Sequence, residues 1–81
     1  MFNFSVQEAK YIDDYKVWLR FYDNKQGEVD LSNYLSGEVF EPLKSVSYFK
    51  NFSVQRSTIA WDNGADFAPE FLYDLVMKQN G

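Results

Sequence analysis

Two carboxylates four positions apart, Asp62 and Asp66, bracket an Asn63-Gly64 pair. Such a pair can hold a hard cation together with backbone carbonyls, or divide acid and base roles. A second constellation lies on an alternating run. Lys16, Trp18, Arg20 and Tyr22 interleave cations with aromatic rings, the pattern that stacks unpaired bases while contacting phosphates. A third is acidic: Asp13-Asp14 with Asp23, Glu28 and Asp30 would face a basic partner if gathered at one hairpin end. Histidine and cysteine are both absent. That removes the residue types most used as nucleophile, general base or transition-metal ligand near neutral pH. Chemistry resting on carboxylates, Lys, Tyr or Ser alone has no converging pair here, so no catalytic, metal or cofactor site is assigned and a non-catalytic protein is expected.

Each constellation also has a plainer reading. Asn63 and Gly64 tolerate positive φ and reverse the chain after Trp61. Asp66 offers a carboxylate to the free amides of a first helical turn, and Pro69 suits the first helical position, where its missing N–H is not needed. Placing Pro69 first would instead make Ala68 the cap. Trp61, Asn63, Gly64, Asp66 and Pro69 therefore read as a structural signature, and charges such as Asp23 and Glu28 as a solvated loop. The alternating face reads as ring-and-stem packing beneath a helix or a partner chain. The net charge of −4 favours that over phosphate binding. One small domain with two helices is poorly equipped to hide both faces of such a strand, so self-association through Trp18 is the leading interaction hypothesis.

Eighty-one residues make one domain spanning the whole chain. A content of 46% hydrophobic and 20% aromatic residues argues for a folded core. Without cysteine the core must hold without disulfides, and nothing points to an oxidising compartment. Met1-Phe2-Asn3-Phe4-Ser5 lacks the basic and apolar regions of a targeting signal, and no segment approaches the roughly 20 apolar residues that cross a bilayer. A cytoplasmic location without membrane contact is the expectation.

These residues must be positioned by an α+β fold: a small antiparallel sheet of about five strands in two hairpins, packed against a C-terminal helix, with a short internal helix. Residues 4–11 read as a bulged strand. Residues 15–22 alternate cleanly, with Tyr15, Val17, Leu19 and Phe21 on one face. A turn-forming loop leads to a short strand over residues 28–31, with Val29 and Leu31 facing inward. Ser32 is placed to cap a single helical turn that Gly37 ends, and residues 38–40 read as extended. Pro42 with Leu43, Val46 and Phe49 predicts a short helix ending near Asn51. Residues 52–55 and 58–61 form a second hairpin across Arg56-Ser57. Finally Phe67, Phe71, Leu72, Leu75 and Val76 make the stripe of a helix lying on a sheet, with Glu70, Asp74 and Lys78 outside.

In order, Phe21-Tyr22-Asp23, Gly27-Glu28-Val29-Asp30-Leu31, Phe40-Glu41-Pro42-Leu43, Phe49 and the block from Trp61 to Glu70 resemble the bacterial family called domain of unknown function 2442. The resemblance implies a compact α+β domain, often encoded in two-gene modules that look like toxin and antitoxin pairs, and hence an antitoxin-like or regulatory partner. It brings no activity. The turn after Phe21 is longer than the family's Asp-Gly, and Asp62 stands where proline is common. Single-stranded nucleic-acid binding through Lys16, Trp18, Arg20 and Tyr22 is the alternative function.

Overall fold

The computed structural model describes residues 4–80. Residues 1–3, part of the stretch read above for a targeting signal, and residue 81 lie outside them. Three strands form one antiparallel sheet in the order β1 (Val6–Asp13), β2 (Lys16–Phe21), β3 (Gln26–Asp30). Its middle strand is the one with the clean alternation. Val17, Leu19 and Phe21 are wholly buried, while Lys16 is exposed and Trp18 and Arg20 are half-buried. The expected irregularity of β1 is present twice, between Val6 and Glu8 and between Tyr11 and Asp13. Val29 and Leu31 both face the core.

A second, two-stranded sheet pairs β4 (Ser53–Gln55) with β5 (Thr58–Ala60). The expected five strands are thus divided between two sheets, joined where the Val6 N–H donates to the Ser57 carbonyl at 2.8 Å. The Arg56-Ser57 connection holds both residues at positive φ, 49° and 72°. That is the conformation of a tight hairpin turn that asparagine and glycine normally occupy.

The middle of the chain departs from the sequence expectation. Residues 38–40 are not extended. They begin a 3-10 segment, Glu38–Lys44, entered through Gly37 at φ 101°, and the helix expected from Pro42 shrinks to one turn, α1 (Val46–Phe49). One cause is visible: the Lys44 carbonyl, which a continuous helix would bond to Tyr48, accepts instead from the Tyr15 hydroxyl. Ser45 sits between the two pieces with extended backbone, φ −82° and ψ 122°. Ser32 does not cap its own turn: the Ser32–Tyr34 3-10 turn has Leu31 in the cap position, and the Asp30 carboxylate accepts the Ser32 N–H at 2.9 Å.

The C-terminal helix, α2 (Pro69–Asn80), buries Leu72, Leu75 and Val76 against the inner face of the three-stranded sheet, chiefly on β3. Lys78 pairs outside with Asp74 at 3.0 Å. Gly27 in β3 makes the close approach possible. A Cβ there would stand 2.8 Å from Asn80 Nδ2 and 3.0 Å from Val76 Cγ1. The buried residues form one cluster, largely aromatic at its centre, where Phe49 lies 5.3 Å from Tyr15 and 5.7 Å from Trp61 between ring centroids.

Candidate interaction face

The turn that ends the second hairpin spends its polar groups on folding. Trp61 is buried, and its indole N–H donates to the Phe49 carbonyl at 2.8 Å, fixing α1 to the end of β5. The Trp61 N–H reaches the Ala65 carbonyl at 2.9 Å, and the Gly64 N–H reaches the Trp61 carbonyl at 3.0 Å. This closes a three-residue loop with Gly64 at φ 91°, the left-handed position such loops reserve for glycine. Asn63 is not at positive φ. Its side chain instead accepts from the Ala65 N–H at 3.0 Å and donates to the Val39 carbonyl at 2.8 Å, tying the loop to the 3-10 segment.

Asp66 pairs its backbone with Ala60, extending the hairpin. It is therefore a bridge residue rather than the helix cap. The Ala68 carbonyl accepts the Leu72 N–H at 3.2 Å, so Ala68 holds the cap position and Pro69 the first helical one. Asp62 and Asp66 are both exposed. Among the described residues no three acidic side chains gather as a metal ligand set would.

The other constellation does assemble. Lys16, Trp18 and Arg20 share the sheet face opposite α2. Pairing adds Glu8 beside Arg20 and Lys10 beside Trp18 from β1, and Gln26, Glu28 and Asp30 beside Arg20, Trp18 and Lys16 from β3. Tyr22 lies one residue beyond the strand and is 59% exposed, outside this lattice. The cations are largely engaged. Arg20 bonds Gln7 at 2.7 Å and Glu8 at 3.1 Å, while Lys10 approaches Glu8 at 3.7 Å and sits 5.3 Å above the Trp18 ring.

Electrostatics follow these contacts. The Arg20 hydrogen bond holds the Glu8 carboxyl below its ordinary pKa. Backbone and side-chain bonds from Ser32 do the same for Asp30, and the Tyr73 hydroxyl, 2.7 Å away, does so for Asp23. All three are held as anions, the opposite of a carboxyl kept protonated to act as an acid.

At the free edge of β3, amides from the last turn of α2 take the place of a neighbouring strand. Gln79 Oε1 accepts the Asp30 N–H at 2.8 Å, its Nε2 reaches the Asp30 carbonyl at 3.4 Å, and Asn80 Nδ2 donates to the Glu28 carbonyl at 2.7 Å. No sequence reading pointed to Gln79 or Asn80. Lys10 and Glu8 would have followed from the β1–β2 register, had periodicity alone specified it.

No curated protein and no solved structure matches the chain. The family described as Protein of unknown function (DUF2442) matches residues 6–78. That span takes in all five strands and most of α2, so the chain is a member of the DUF2442 family.

Proposed function

We propose that this protein is a non-catalytic interaction module that pairs with a second copy through the outer face of its three-stranded sheet. The observation that carries this reading is Trp18, half-buried at the centre of a face that neither helix covers. Tryptophan ringed by charged groups is the arrangement of an interface hot spot. The face also complements itself. Arg20 and Lys10 are engaged with Glu8, which leaves the exposed Lys16 and Glu28 of the same face to meet their opposites on a two-fold related copy, although the molecule as a whole is acidic. Strands of five to eight residues about 4.8 Å apart offer roughly 300–400 Å² per copy, at the transient end of specific interfaces.

Sedimentation of wild type and Trp18→Glu over rising concentration tests this. Wild type should self-associate in the high-micromolar range and the variant should remain a folded monomer. Wild type staying monomeric at millimolar concentration would end the proposal.

The nucleic-acid reading meets an obstacle in the same contacts. Arg20 is committed to Glu8 and Gln7, and Lys10 lies over the ring on which a base would stack. A salt-dependent shift of tryptophan fluorescence on adding a single-stranded oligonucleotide would revive it.

A further inference from the structure

The edge of β3 is a second surface, which borders the Trp18 face and shares Glu28 and Asp30 with it, and its use still rests on the chain being an interaction module. In β3 the backbone groups of Gly27 and Val29 turn toward β2, and those of Gln26, Glu28 and Asp30 turn outward. An open row of this kind recruits an additional strand. Here the row is closed at one end only. The Gln79 carboxamide meets both backbone groups of Asp30 as a neighbouring peptide unit would, and Asn80 takes the Glu28 carbonyl.

Gln79 and Asn80 are exposed and lie in the last turn of a helix, where fraying is easiest. Two shallow grooves flank the clasp. One, of about 160 Å³, is lined by Lys16, Glu28, Asp30 and both amides. The other, of about 190 Å³, is lined by Lys25, Gln26, Val76, Met77 and Asn80, and Met77 there is 46% exposed.

We propose that this edge is a latched strand-docking site for an extended, basic peptide segment whose side chains alternate between cationic and apolar. The segment pairs with the outward backbone of Gln26, Glu28 and Asp30 after the two amides swing aside. Side chains alternate across a strand, so one set falls beside Glu28 and Asp30 on the outer face. The other set falls beside Val76 and Met77 on the helix side. A second copy of β3 is the poorer occupant, because two-fold pairing centred on Glu28 would set that carboxylate against its own image.

A Trp18→Ala protein serves as background, so that self-association through the Trp18 face does not enter the readout and no carboxylate is added beside Glu28. The probe is a fluorescently labelled synthetic peptide of about eight alternating lysines and valines, the length of a typical strand, followed by anisotropy. Adding Gln79→Ala and Asn80→Ala should tighten binding on the order of tenfold, since the three competing bonds to the edge are removed. Adding Glu28→Lys should abolish it, and the Glu28 amide should gain exchange protection in the complex. Equal binding of a peptide of the same composition with its lysines in one block would overturn the proposal. So would unchanged or weaker binding after removal of the two amides. Failure of wild type to dimerise leaves these outcomes untouched.

Discussion

Individual side chains hold this fold at places where different segments meet, and Tyr73 is the clearest case. Its ring packs edge-on against Phe21 at 5.0 Å while its hydroxyl donates to Asp23, joining α2 to the β2–β3 loop. The bond lowers the Asp23 pKa and raises that of Tyr73. The depressed Asp23 value contributes stability that is present above about pH 4 and lost as pH falls through the folded value. The raised Tyr73 value contributes stability present below about pH 10 and lost as pH rises through it. Tyr73→Phe keeps the ring and removes the bond. Urea midpoints of the two proteins should therefore differ by a constant amount between about pH 5 and pH 9 and converge toward both extremes. A difference independent of pH would assign the effect to packing instead. Asp23 and Tyr73 are fifty residues apart, and no local pattern pairs them.

At the scale of elements, the strands and the terminal helix were legible because their periods are strong. Lys16-Val17-Trp18-Leu19-Arg20-Phe21 alternates without exception, and the helical stripe over α2 has no competing period. The central segment was not legible. Leu43, Val46 and Phe49 recur every third residue, which suits an α-helix and a run of 3-10 turns alike, and a long-range hydroxyl from Tyr15 broke the helix at Lys44. The Arg56-Ser57 turn shows the reverse case: the hairpin was evident while its turn type was not, since neither residue favours the positive φ that both adopt. Arg56→Asn with Ser57→Gly fits this backbone and should stabilise the protein by about 1 kcal/mol, read as a higher thermal midpoint. An unchanged or lower midpoint would mean that Arg56 or Ser57 makes a compensating contribution.

For the whole molecule, the uncovered sheet face is the main feature left over after the core is built. The proposed self-association through it would make stability depend on concentration. With a Kd near 100 µM, a tenfold excess of protein adds about 1 kcal/mol. In a domain of this size that raises the thermal midpoint by about 4–8 °C. Wild type should show this rise between dilute and millimolar solution, and Trp18→Glu should not. Parallel curves for the two proteins would assign the face to solvent.

The amino-acid order by itself determined the α+β class, the β2–β3 and β4–β5 hairpins though not the β1–β2 one, the terminal helix, the loop at Gly64 and the lack of histidine and cysteine chemistry. These follow from local periodicity, turn preferences and composition, which act over a few residues. Tertiary structure alone decided that the strands form two sheets, that Asp66 bridges to Ala60 instead of capping α2, that Lys10 covers Trp18, and that Gln79 and Asn80 close the edge of β3. Each of these joins residues through hydrogen bonds or ring contacts whose partners are chosen by the packed core, and a linear pattern carries no record of that choice.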